Sequence, residues 1–239
     1  MRLIIRHQTP KDGLTLPINY HHILQAIIYD HLRVTDYERL HDKAYSYGKR
    51  QYRMFTFSEI FGKYRIREKK ITFQGLMSYK ISSPDEEMIS VLCDAFQNRG
   101  VSYGDVQINE IEVISDTTRI EANEADIRMI SPICIYSTKK NTGEKIYYEP
   151  GDGEFEKQLV NNFARKYKAF YGKDPMELPV IEPRIVLPRD RKVTKYQGTM
   201  LTAWMGQYRL KGEKDLLNFW MDAGIGGKNA QGFGMFDLV

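Results

Sequence analysis

Apolar positions recur along the chain with two periods. Residues 2–7, RLIIRH, read as a strand. Residues 20–34, YHHILQAIIYDHLRV, put Ile23, Leu24, Ile27, Ile28 and Val34 on one face at about 100° per residue and predict a helix. Two strands follow, RMFTFSEIFG at 53–62 and KITFQGLMSYKI at 70–81. SPDEEMISVLCDAFQNRG opens a helix with Ser83 as N-cap, Pro84 in the first turn and Glu86 placed to close a capping box, and Gly100 ends it. VQINEIEVIS at 106–115 alternates as a strand.

The second half repeats this order more loosely. A strand-like IRMISPICIYS at 127–137 precedes a helix with Phe155, Leu159, Phe163 and Phe170 on one stripe. PRIVLP and TMLTAWMGQYRL supply two strands, then come a helix at 214–223 and a short final strand, GMFDLV. Each half therefore reads β-α-β-β-α-β, the ferredoxin-like order also used by RNA-recognition modules. The fold class is α+β, with tandem RRM-like domains at 1–118 and 119–239. Apolar periodicity fails at the junction, DTTRIEANEAD, and without a Pro/Gly-rich linker the two modules are expected to share a cleft.

Charge sharpens this picture. Residues 43–70 carry +7 and residues 184–195 carry +4, leaving −7 for the rest of a chain whose total is +4. Such concentration suits a focused polyanion site, and Tyr45, Tyr47, Tyr52, Phe55 and Tyr64 interleave the first segment as bases would need for stacking. PRIVLPRDRKVTKYQG reads as a hairpin with Arg189, Arg191, Lys192 and Lys195 at its tip, preceded by Arg184. No apolar run approaches the roughly 20 residues of a membrane span, and a cytoplasmic setting with no membrane partner is expected. Cys93 and Cys134 have neither the number nor the spacing of a disulfide framework or zinc site, and both are expected in the core.

Five glycines fall between Gly224 and Gly234. The order helix, glycines, strand is the reverse of a nucleotide-binding loop and disfavours a dinucleotide site. Tandem ferredoxin-like modules whose last helix leads into G-h-G-x5-G-h-G, here Gly224-Ile225-Gly226 and Gly232-Phe233-Gly234, resemble the RAMP superfamily of CRISPR-associated proteins. More narrowly, the chain resembles the CRISPR repeat-RNA processing endoribonucleases. The likeness runs from MRLIIR through LQAIIY and YGKDP to GIGGKNAQGFGMF.

That resemblance implies metal-independent cleavage of CRISPR repeat RNA within precursor transcripts, leaving a 2′,3′-cyclic phosphate and a 5′-hydroxyl, with no cofactor. It leaves open a monomer or a homodimer. Carried over residue by residue, the family tyrosine falls on Tyr29 and the acid/base histidine on His41, while Lys49 and Arg53 compete for the cation. It also lays the backbone N–H groups of Gly224, Gly226, Gly227, Gly232 and Gly234, with Lys228, against RNA phosphates; the alternative is that the glycines only allow tight packing. Two other functions compete: a non-catalytic subunit that delivers repeat RNA to a CRISPR effector complex, and a protein-interaction subunit.

The residues themselves offer a similar set. Transfer of a phosphate by a 2′-hydroxyl needs a base, an acid and positive charge, and histidine with a pKa near 6.5 serves either proton role. His7 and His21 read as structural or surface, and His31 sits in the middle of the apolar face as a packed or hydrogen-bonded side chain. Tyr29 lies opposite, in line with His22 and near Gln25 and Arg33.

Overall fold

The computed structural model describes residues 1–33, 45–139, 141–196 and 199–239. The first half runs β1 (Arg2–Gln8), β2 (Leu14–Pro17), α1 (His21–Arg33), β3 (Tyr45–Tyr47), β4 (Arg50–Tyr52), β5 (Thr56–Phe57), β6 (Phe61–Arg67), β7 (Lys70–Ser82), α2 (Glu86–Arg99), β8 (Val101–Tyr103), β9 (Val106–Ile108) and β10 (Ile111–Asp116). The second runs β11 (Glu124–Met129), β12 (Tyr136–Thr138), β13 (Lys145–Tyr147), α3 (Gly153–Tyr171), β14 (Val180–Ile185), β15 (Arg191–Tyr196), β16 (Thr199–Trp204), β17 (Gln207–Lys211), α4 (Lys214–Ala223) and β18 (Phe236–Leu238).

Both halves build an antiparallel sheet of one order. In the first, β7 carries β1 and β2 in succession along one edge and β5 and β6 along the other, while β10 closes onto the free edge of β1. The second sheet runs β14-β17-β11-β18. Numbering the ferredoxin strands of each half one to four, both read 4-1-3-2, with helices after the first and third. Period-two burial drives each sheet onto its own core: Leu3, Ile5, Phe73 and Tyr79 in one, Ile127, Met129, Tyr208 and Leu210 in the other.

The two halves are sewn together by buried polar contacts. Arg2, 1 % exposed, meets the Asp237 carboxylate at 2.9 Å and the Phe236 carbonyl at 2.6 Å. Lys80 reaches the same carboxylate at 2.8 Å.

Several local expectations are corrected. The segment 53–62 is not one strand, because Met54 takes a left-handed φ of 46° and the Glu59 N–H is donated to Ile130 in the second half, parting β5 from β6. The N-cap of α2 is Asp85, whose carboxylate accepts from the Met88 N–H at 3.0 Å. Ser83 instead accepts from the Asp85 N–H and donates to the Met54 carbonyl at 2.7 Å. Residues 106–115 divide between β9, paired in a hairpin with β8, and β10. TMLTAWMGQYRL divides at Gly206, φ 117°, into β16 and β17, and β16 leaves the sheet to form a hairpin with β15. Cys134 is buried as expected, whereas Cys93 is only half-buried.

Candidate functional site

A cavity of about 650 Å³ opens between the two halves. Its wall takes Gln25 and Tyr29 from α1, Arg50 and Arg53 from β4 and the residues after it, Tyr136 from β12, Asn162, Arg165 and Lys166 from α3, and Gly226 to Gln231 from the glycine-rich loop. Five of the wall residues are Lys or Arg and none is Asp or Glu among the described residues. Cations facing one another across a partly dry space repel unless an anion enters, so the wall is built for negative charge.

Local structure explains how these side chains converge. The left-handed turn at Met54 sends three consecutive residues to three destinations: Arg53 to the cavity wall, Met54 into the second core and Phe55 into the first. A non-glycine residue with positive φ costs about 1–2 kcal/mol, here held by burial of Met54 and by Ser83 on its carbonyl. Tyr29 stands edge-on to Phe55, ring centroids 5.6 Å apart. On the face opposite Ile23 and Leu24 it is half-buried and packs on the first core. That burial raises its pKa above the usual phenol value, against the opposing effects of nearby Arg53 and a Gln25 hydrogen bond. Gln25 also donates to the Ala230 carbonyl at 2.6 Å, fastening α1 to the glycine-rich loop.

The loop itself is mostly closed to a ligand. The N–H groups of Gly224, Gly227, Gly232 and Gly234 are donated to Trp220, Cys134, Asn229 and Pro132. An added Cβ would fall 2.5 Å from the Phe57 ring at Gly232, and at Gly234 onto the Ile225 carbonyl. Packing therefore accounts for Gly224, Gly232 and Gly234, and the expectation that all five amides face phosphates is corrected. Gly226 and Gly227 do line the cavity beside Lys228. Lys228 takes a left-handed φ of 62°, and its amine lies 5.7 Å from the centre of the Tyr136 ring; partial burial lowers its pKa.

Of the two candidate cations, Arg53 shares the cavity with Tyr29, while Lys49 is exposed on the turn of the β3/β4 hairpin and does not line it. His41 lies outside the described residues. The other four histidines stand apart from the cavity wall. His7 bonds to the Tyr103 hydroxyl at 2.8 Å, and His22 is exposed and bonds to the Asn19 carbonyl. His31 is buried, with carbonyls on both ring nitrogens and Phe96 stacked at 4.1 Å. His21 is wedged between Phe57 and Phe233, where burial pushes its pKa down to about 4.

The second basic segment makes a separate surface. Arg189 sits in a short turn before β15, and Arg191 and Lys192 pair with Trp204 and Ala203 at the base of the β15/β16 hairpin. They are not at its tip; of the expected four, only Lys195, opposite Met200, lies far along the strand. Thr194 donates to the Asn19 side chain at 2.9 Å and Lys192 lies near Glu59, so the hairpin leans on the first half beside the start of α1. Arg184 is exposed on the edge strand β14.

Sequence reasoning missed Arg50, Arg165, Lys166 and Asn229. A signal existed for one of them: Lys166 follows Phe163 by three positions and so falls on the apolar stripe of α3.

The family described as CRISPR associated protein Cas6, C-terminal, matches residues 114–238. A curated relative from Methanocaldococcus jannaschii, CRISPR-associated endoribonuclease Cas6 2, is 28 % identical over 97 % of each chain. A solved structure of a CRISPR associated protein Cas6 is 25 % identical with a TM-score of 0.79, covering 100 % of this chain and 99 % of its own. Another, an RAMP protein binding different RNA substrates, is 22 % identical with a TM-score of 0.82, again over 100 % and 99 %, and supports the fold.

Proposed function

Because the chain belongs to the CRISPR-associated Cas6 family, we propose that it is an endoribonuclease that cuts CRISPR repeat RNA within precursor transcripts. The attacking group is the ribose 2′-hydroxyl, the products are a 2′,3′-cyclic phosphate and a 5′-hydroxyl, and no metal ion or cofactor takes part. The observation that carries this reading is the cavity wall: five Lys or Arg side chains, three tyrosines and no carboxylate among the described residues. Residues 1–118 and 119–239 are taken as the two domains that form it.

Within the cavity the roles divide by chemistry. The Arg53 guanidinium stabilises the extra negative charge of the phosphorane, but it is a poor proton donor. Tyr29, its pKa raised by burial, is a neutral phenol near pH 7 and orients the reacting groups by hydrogen bonding. Proton transfer is assigned to His41 on the family resemblance. Lys228 and the backbone of Gly226 hold the phosphate, with Gly227 beside them keeping its N–H on Cys134, and Arg189, Arg191, Lys192 and Lys195 grip RNA that leaves the cavity.

The test is a repeat RNA with one 2′-deoxy sugar immediately 5′ of the scissile phosphate, incubated in EDTA beside the all-ribose RNA. The all-ribose strand should be cut and the deoxy strand bound with similar affinity yet left whole, since only the nucleophile is missing. Cutting of the deoxy strand at the same bond, or a requirement for added metal, contradicts the reading.

A further inference from the structure

Helix α3 buries Phe155, Leu159 and Phe163 on one stripe, and the same stripe continues with Lys166, which is 2 % exposed. A lysine there is expensive, because burial strips water from the ammonium. A methionine would fit the stripe without that cost.

The partners of the amine show what it does. They are all neutral oxygens: the Gly224 carbonyl, the Ala223 carbonyl at 3.5 Å and the Asn229 side-chain oxygen at 3.1 Å. The first two are carbonyls at the C-terminal end of α4, where a cation is favoured. The third belongs to a side chain that holds both limbs of the glycine-rich loop. The Asn229 amide donates to Ile225 at 3.2 Å and to Phe233 at 2.9 Å.

The flanking glycines make room for that amide. A Cβ on Gly224 would lie 2.6 Å from the Asn229 nitrogen, and one on Gly234 2.7 Å from it. The loop is thus closed around Asn229, and Asn229 is fastened to α3 by Lys166.

We propose that Lys166 is a positioning residue for RNA cleavage, acting through Asn229 and the Gly224 carbonyl to set where Gly226, Gly227 and Lys228 stand in the cavity. The proposal rests on the endoribonuclease reading above. Its consequence is a separation of rate from affinity. Binding is shared among many phosphate contacts, so a loosened loop costs little grip. The reacting phosphate, however, must be held to within about 1 Å, and displacement on that scale slows a reaction by roughly 10²-fold.

The experiment measures single-turnover cleavage of repeat RNA at saturating protein, and in parallel the affinity for the uncleavable deoxy strand. Lys166→Met should cut about 10- to 100-fold slower while binding within about threefold of wild type. Asn229→Ala should match it. The double variant should be no more than about threefold slower than the slower single one, because residues acting as one unit do not add. Wild-type rates in Lys166→Met, multiplicative losses in the double variant, or affinity falling as far as rate would each overturn the proposal. Should Lys166→Met fail to fold, Asn229→Ala decides alone, and a wild-type rate there overturns it. A wild-type chain that leaves the RNA uncut overturns the endoribonuclease reading as well, whereas an active wild type with an unimpaired Lys166→Met overturns only the pin.

Discussion

The cavity and the β15/β16 hairpin are both basic, but they assemble their charge differently. The hairpin takes its cations from one run of sequence, and Arg189, Arg191, Lys192 and Lys195 are exposed on it. The cavity gathers one or two cations from each of three segments far apart in the chain, and half-buries or buries all but Arg50. Exposed charges are screened by salt within roughly 8–10 Å and act as grip. Charges held in a partly dry wall keep most of their field and cannot move away from one another, which is what a developing phosphorane needs. On the proposed function, the difference separates where RNA is held from where it is cut.

The largest effect that would break this division is on the cavity side. Arg53→Ala should slow single-turnover cleavage by about 10²- to 10³-fold, the usual scale for one group stabilising a transition-state oxyanion. Lys49→Ala, four residues away but outside the cavity, should stay within about twofold. Equal losses in the two variants would dissolve the distinction between them.

On the hairpin side, replacing Arg189, Arg191 and Lys192 together by alanine should weaken RNA binding about 10- to 100-fold. The slope of log affinity against log salt should fall by roughly two to three, as each lost phosphate contact removes its share of counterion release. An unchanged slope removes the hairpin from the RNA path.

Stability offers a smaller but sharper cut between the packed and lining parts of the loop. Gly232→Ala drives a methyl group into the Phe57 ring at a left-handed φ of 85°, and thermal melting should report a loss of about 2–3 kcal/mol. Gly227→Ala meets nothing closer than the Cys134 carbonyl at 3.6 Å and should melt like wild type. A collapse of both, or of neither, contradicts the assignment of Gly232 to packing.

The subtlest effect is that of pH on stability. Burial pushes the Lys166 amine from its ordinary 10.5 down to about 7. Between those values the unfolded chain keeps a proton that the folded chain has lost, so folding is favoured as pH rises through this window. The stability of wild type relative to Lys166→Met should therefore climb from pH 7 to 10, measured by denaturant unfolding. A flat difference would mean that the amine titrates normally.

Much of this architecture was legible in the residues. The helical faces of α1 and α3, the stop at Gly100 and the doubled β-α-β-β-α-β order all follow from local periodicity and from where glycine is needed. Strand breaks were not legible, because they depend on distant partners: the β5/β6 gap exists since Glu59 donates across to Ile130. The same holds for the site. Tyr29 and Arg53 could be named by resemblance, but the +7 segment read as one basic run. In space it divides, Arg50 and Arg53 turning into the cavity while Lys63, Arg65 and Arg67 stay exposed along β6. Arg165 and Lys166, both on the cavity wall, lie in a short basic run, RKYK, whose direction in space depends on how α3 packs.

The division between grip and chemistry is tested most directly by one titration: the cleavage rate of repeat RNA against protein concentration, for the hairpin triple variant and for Arg53→Ala. The account predicts that the triple variant reaches the wild-type plateau at a 10- to 100-fold higher midpoint. Arg53→Ala should keep the wild-type midpoint and reach a plateau about 10²- to 10³-fold lower. Two variants that shift midpoint and plateau together, or that exchange these behaviours, would contradict it.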